Sequence, residues 1–214
     1  MSGIETILSE ERRYPTPPEF AAQANAQPEI YERDFEEFWE TEARARISWS
    51  RDFERLYEWE PPYAKWYLGG ELNVCFNCVD RHVEAGRGER VAFHWEGEPG
   101  DRRTISYAEL QRDVVRFANA LKELGVGKGT AVAIYMGMVP ELAVAMLACT
   151  RLGAPHTVVF GGFSADSLSD RMNDMGGGVL ATQDEAWRRG SPVPLKRTAD
   201  EALDAAPGVR RCLV

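Results

Sequence analysis

Four short stretches combine residue types and spacings that could do chemistry. Cys75-Phe76-Asn77-Cys78 has the spacing of half a zinc site or of a redox pair. No second Cys or His pair stands at ligand spacing, His82 alone cannot complete a tetrahedral set, and no buried strand precedes the segment. The pattern therefore favours two small buried side chains on a short helix. Gly125-Val126-Gly127-Lys128-Gly129-Thr130 invites a phosphate-loop reading, but that loop needs Ser or Thr directly after Gly-Lys and a helix directly after the loop. Here an amphipathic stretch precedes the glycines and an extended run follows, so they read as a helix-to-strand turn with glycines at positive φ. Phe160-Gly161-Gly162-Phe163-Ser164 joins an apolar run to a polar-faced helical pattern that Ser164 can cap. Its polarity suits an anion, because ligands bind beyond the carboxyl ends of strands in open α/β sheets, and a plain tight turn accounts for the same residues. Finally, Arg188, Arg189, Lys196 and Arg197 lie within a stretch that has no acidic residue. Guanidinium groups grip phosphate oxygens through paired hydrogen bonds, and a solvated basic loop would look identical.

The rest of the chain constrains these readings. Its 214 residues, 44% apolar and 28% charged, suffice for one globular domain or a domain with an arm. A formal charge of -9 removes any global electrostatic basis for nucleic-acid binding. Any bound anion needs a local positive site. The four cysteines are too few and too scattered to staple the fold, which points to a reducing, cytoplasmic setting. Met1 to Arg13 holds no continuous apolar block, which argues against a secretory signal. Ala131 to Cys149 is interrupted by Gly137, Pro140 and Glu141, which argues against a membrane span. His82, His94 and His156 lie far apart, with no serine nucleophile elbow, and read as packing or hydrogen-bonding residues.

Periodicity supplies the elements that must position these groups. Pro15, Pro17 and Pro18 disfavour a regular helix at the start, and Tyr31, Phe35, Phe38 and Trp39 predict a helix near 28 to 45. Pro61 and Pro62 end that section, and Asn73 or Asn77 can cap a short helix over Asn73 to Val83. Val91, Phe93 and Trp95 alternate into a hairpin with Thr104 and Ile105. Ser106 and Glu109 form a capping box for a helix that Gly125 stops. Extended Thr130 to Met136, a helix from Pro140 to Leu152 ended by Gly153, extended Pro155 to Phe160, a helix from Ser164 to Asn173 and a strand at Val179 to Thr182 follow. Apolar strands separated by helices of this length predict an α/β class: a helical arm, residues 1–85, then a mainly parallel sheet covered by helices on both faces over residues 86–214.

In combination the motifs are recognisable. Pro61-Pro62-Tyr63-Ala64-Lys65-Trp66-Tyr67, Leu72-Asn73-Val74 with Asn77-Cys78-Val79-Asp80-Arg81-His82, and His94-Trp95-Glu96-Gly97-Glu98-Pro99-Gly100-Asp101 resemble the N-terminal region of AMP-forming acetyl-CoA synthetases, which belong to the adenylate-forming superfamily. The order continues through Ala133-Ile134-Tyr135-Met136, Pro140-Glu141-Leu142, Gly153-Ala154-Pro155-His156 and Val159-Phe160-Gly161-Gly162-Phe163-Ser164. The resemblance runs over residues 28–214. It implies an acetate–CoA ligase reaction, in which acetate and ATP with Mg2+ give acetyl-adenylate and pyrophosphate, and CoA then displaces AMP. It also implies that Gly161, Gly162, Arg188, Arg189 and Gly190 contact the nucleotide end of CoA, the partners being small-molecule substrates only.

The chain departs from that pattern at several points. Ser191 stands where the family often has Lys or Arg, Gly137 replaces a usual Pro, Glu185-Ala186 replace a usual Gly-Gly, and Met175 to Gly178 forms a more flexible connection than the family normally shows. The first of these implies a weakened CoA site. The resemblance stops at Val214, ahead of the family's ATP-phosphate loop, acetate pocket, ribose-binding Asp and catalytic Lys. It therefore implies a fragment that binds no cofactor tightly, is catalytically inert alone, and aggregates through an unpaired sheet edge. The alternative from a different class is a standalone CoA-binding, nucleotide-binding or pairing module.

Overall fold

The computed structural model describes residues 12–214, in two compact units that divide between Ile47 and Ser48. Met1 to Glu11, on which much of the argument against a secretory signal rests, lie outside the described residues.

The first unit contains α1 (Pro18–Gln23), a 3-10 turn (Pro28–Glu32) and α2 (Phe35–Arg46). Pro18 sits where a helix needs no N–H, so the proline cluster opens α1 rather than preventing it. The single helix expected over 28 to 45 is split. Asp34 leaves the helical conformation to accept the Glu37 N–H at 2.9 Å, and α2 starts only behind that cap. Tyr31 consequently stands off the helix and is 91% exposed. Glu40–Arg44 and Glu42–Arg46 pairs, spaced i to i+4, line α2.

The second unit begins with a hairpin of β1 (Arg55–Glu60) and β2 (Tyr63–Leu68), with Tyr57 opposite Trp66 and their rings stacked. Pro61 and Pro62 form its turn, where the sequence pattern alone shows only an end. A helical segment over 74–87 follows, wound wider than an α-helix at Phe76–Asp80 and Val83–Arg87. Asn73 is its cap, accepting the Phe76 N–H at 3.0 Å, while its amide nitrogen donates to Arg151 O at 3.1 Å. Asn77 is spent elsewhere, bonding both the N–H and the C=O of Ser48.

The expected hairpin of β3 (Val91–Glu96) and β4 (Arg102–Ser106) leads into α3 (Tyr107–Glu123), whose Ser106–Glu109 capping box is formed in both directions. Then come β5 (Val132–Met136), α4 (Pro140–Leu152), β6 (His156–Phe160), α5 (Ala165–Asp174) and β7 (Gly178–Thr182). Beyond the reach of the sequence reading lie a small hairpin of β8 (Ala186–Arg188) and β9 (Ser191–Val193), α6 (Leu195–Asp204) and β10 (Val209–Leu213).

The sheet order is β10-β7-β5-β6, every pairing parallel. Central β5 explains both covered faces. Val132, Ile134 and Met136 pack with Leu110, Val114 and Leu121 of α3 and Val144 and Ala148 of α4. Ala133 and Tyr135 point the other way, into Leu168 and Met172 of α5 and Leu195 and Ala199 of α6. Period-2 alternation on a strand buried throughout thus builds two cores at once. The connection over Met175 to Gly178, expected to be flexible, is tightly specified where it enters β7: Gly178, the first residue of that strand, has φ +120, and a Cβ there would lie 2.1 Å from Ala131 O.

Between α3, α4 and the segment over 74–87 lies an ionic brace. Arg151 donates to both oxygens of Asp80, at 2.6 and 3.1 Å, and Gln111 Nε2 donates to Asp80 Oδ1 at 2.7 Å.

Candidate functional site

The carboxyl ends of parallel strands are where open α/β sheets offer a crevice. Here that crevice is a cleft of about 480 Å³ above Met136, Phe160 and Gln183, between the β3–β4 turn and the β8–β9 hairpin. Its floor is built by local chemistry. Tyr135 donates its hydroxyl to Phe163 O at 2.9 Å, tying the turn after β6 to the sheet, and burial pushes the Tyr135 phenol up. Ser164 caps α5 by accepting the Ser167 N–H, as its position implies. Gly161 lets the turn pass close to β5: a Cβ there would lie 3.1 Å from Met136 O.

Arg188 enters this cleft from β8. Its guanidinium lies over the Phe160 ring, 4.2 Å from the centroid, a cation–π contact on a ring 47% exposed. A Cβ on Gly162 would lie 2.8 Å from Arg188 Nη1, so only glycine admits the guanidinium in this pose. Arg188 and Gly161 line the same cleft, and Gly162 touches Arg188 at its edge.

Arg189 and Gly190 form the two-residue turn between β8 and β9, with φ of 52 and 77. Positive φ at both positions matches the right-handed twist of a tight hairpin. Arg189 is exposed, and neither it nor Gly190 lines the cleft. Ser191, which stands in place of an expected cation, closes this turn by donating its hydroxyl to Arg188 O at 3.3 Å.

The basic run does not act as one patch. Lys196 pairs with Asp200 at 2.6 Å and Arg197 with Glu201 at 3.3 Å along the surface of α6. Arg188 has no ion pair among the described residues. The cleft is otherwise acidic, with Glu96, Glu98, Asp101 and Glu185 on its walls. Sequence reading missed those carboxylates as site residues, and missed Phe160 as a platform, Trp95 and Trp187. An aromatic residue at a strand's carboxyl end, next to paired glycines, was the available signal for Phe160.

The other candidate motifs are accounted for structurally. In the glycine turn after α3, Gly125 and Gly129 have φ of 79 and 85, Gly127 N–H donates to Thr130 Oγ1, and Gly129 N–H donates to Gly153 O. Those two amides are already used within the protein, and no helix begins there. Cys75 is buried, with its thiol pushed up to about 11 by burial, whereas Cys78 is exposed rather than buried as expected. Among the described residues no three potential metal ligands cluster. His82 Nδ1 accepts from Arg87 Nη2 at 2.8 Å, and burial together with the neighbouring arginine charges holds its pKa below the usual imidazole value. His94 bonds Thr104.

Two departures from the resembled pattern meet in the wall of the cleft. Gly137 abuts Ala186: a Cβ at 137 would lie 2.7 Å from the Ala186 Cβ. Its N–H also donates to Gln183 Oε1 at 2.8 Å. The methyl absent at 137 is thus present at 186. Gly137→Ala should cost about 1–3 kcal/mol by overpacking, and most of that cost should vanish in the Gly137→Ala/Ala186→Gly double variant. Denaturant melts of the four members of the cycle measure the coupling, and additive effects would refute the steric exchange.

Comparison with known proteins bears on the family of the chain. Residues 79–212 match the AMP-binding enzyme family, and residues 29–78 match the acetyl-coenzyme A synthetase N-terminus. The acetyl-coenzyme A synthetase of Streptomyces avermitilis is 51% identical over 99% of this chain and 33% of the relative's own length. The protein of the same name from Rubrobacter xylanophilus is 50% identical over 95% and 32%, and that from Mycobacterium tuberculosis 54% over 91% and 30%. This chain spans about a third of the length of these relatives. More than half of its residues fall within one family match, and the crevice with all of the parallel sheet but Leu213 lies inside that match: the chain belongs to the AMP-binding enzyme family, with an acetyl-coenzyme A synthetase N-terminus ahead of it.

Proposed function

We propose that these residues are the N-terminal part of an acetate–CoA ligase, with an arm over 1–85 and the start of the adenylating domain over 86–214. In the whole enzyme, acetate, ATP with Mg2+ and CoA are the substrates, and the work is done in the cytoplasm. The share of this chain is to hold the phosphorylated nucleotide end of CoA through Arg188, Arg189, Gly161, Gly162 and Gly190. The observation that supports this most strongly is the meeting of Arg188 with the Gly161–Gly162 turn in one cleft, on an aromatic ring that fixes the guanidinium. Chemically, the planar fork offers paired donors to phosphate oxygens, and glycine lets a ligand approach the backbone.

Adenylation itself requires several donors around the charge developing at the α-phosphate. In this cleft one arginine faces four carboxylates, so the expected acetyl-CoA yield of the purified 214-residue chain with acetate, ATP, Mg2+ and CoA is nil. Calorimetric titration of CoA into the same chain should give a saturable signal that weakens with salt. An absent signal sinks the CoA reading, and turnover by the chain alone sinks the division of labour.

A further inference from the structure

Glu98 lies outside every set of residues so far given a role. It stands on the β3–β4 turn, and its Oε1 accepts the N–H of Gly190 at 2.5 Å, from 92 residues away in sequence. The two ends of this hydrogen bond are very differently supported. The β3–β4 turn is fixed: Gly97 N–H donates to Asp101 O at 2.8 Å, Gly100 N–H to Gly97 O at 2.9 Å, and Trp95 Nε1 to Met138 O at 2.7 Å. The β8–β9 hairpin has only three residues per strand and does not join the four-stranded sheet. Its turn also holds Arg189, a non-glycine residue, at φ 52, a conformation that surrounding contacts must sustain. Arg188 is the residue immediately before that turn.

We propose that Glu98 is a positioning residue. By accepting the Gly190 N–H it braces the tip of the β8–β9 hairpin against the rigid β3–β4 turn, and so holds Arg188 over Phe160 in the pose that a phosphate-bearing ligand needs. The inference rests on the CoA reading of the cleft. Its charge opposes its geometry, because a carboxylate near Arg188 repels an anionic ligand while its oxygen keeps the cradle in shape. The two effects separate by substitution: Glu98→Gln keeps an oxygen acceptor and drops the charge, whereas Glu98→Ala drops both.

Two readouts on the full 214-residue chain test the brace. Amide hydrogen exchange at Gly190 should accelerate about tenfold in Glu98→Ala and stay near the unsubstituted rate in Glu98→Gln. The calorimetric affinity for CoA should be about fivefold weaker in Glu98→Ala than in Glu98→Gln, with matched melting temperatures. Equal affinities in the two variants, or unchanged Gly190 exchange in Glu98→Ala, overturn the proposal. If the unsubstituted chain binds no CoA, the CoA reading fails, and exchange at Gly190 alone decides whether the brace exists.

Discussion

Replacing Asp80 by Ala is expected to lower the melting temperature by about 10 °C. Arg151 sends two nitrogens to this carboxylate and Gln111 adds a third donor, with the Asp80 and Arg151 side chains only 11% and 25% exposed. Removing the anion leaves a largely desolvated guanidinium with no counter-charge, which costs about 3 kcal/mol even allowing for its partial exposure. For a unit of this size each kcal/mol moves the melting point by about 2–4 °C. Arg151 Nε has no hydrogen-bond partner even in the intact pair, so the arginine has no second acceptor waiting at that nitrogen. Arg151→Met combined with Asp80→Ala should recover most of the loss, because an apolar pair of suitable volume needs no desolvation. Calorimetric scans of the two variants provide the check. A shift below about 2 °C for Asp80→Ala would mean the brace contributes nothing net.

On the proposed role of the cleft, Arg188→Ala should weaken CoA binding about thirtyfold. Hydrogen bonds to charged groups contribute about 1.5–3 kcal/mol, and no other cation in the cleft lining can replace this one. Arg188→Lys should regain less than half of the lost free energy. A lysine keeps the charge but loses both the fork that meets two phosphate oxygens and the flat face resting on Phe160. Titrations at several salt concentrations separate the contributions, since the alanine variant should show a shallower salt dependence and the lysine variant should retain it. An affinity left unchanged by Arg188→Ala would remove this residue from the site.

What could be read from sequence divides by range. Ser106 with Glu109, Gly153, and Ser164 announced helix ends because each cap is satisfied within a few residues of itself, and Pro140 announced a start because the first helical residue needs no N–H. The β5 run was legible because a strand buried on both sides must be apolar throughout. Three-residue β8 and β9 offer too few positions for a period to show, and the β1–β2 hairpin was hidden by prolines that serve equally well as a stop. The split before α2 turned on whether Asp34 would cap or continue the helix, which a periodicity count does not decide. The site was legible only in part. Family resemblance grouped Arg188 with Gly161 and Gly162, whereas nothing local in the sequence could link Glu98 to Gly190 or separate Lys196 and Arg197 from Arg188.

The contact between Gly137 and Ala186 also restricts the history open to this sequence. Proline at 137 would bring a side-chain carbon into the Ala186 methyl and forfeit the bond to Gln183, so the order in which the two positions change carries a steric cost. The less costly order shrinks position 137 before position 186 grows, and on the return path shrinks 186 first. Each residue is permissive for the other, because bulk at both places at once overpacks the cleft wall by about 1–3 kcal/mol.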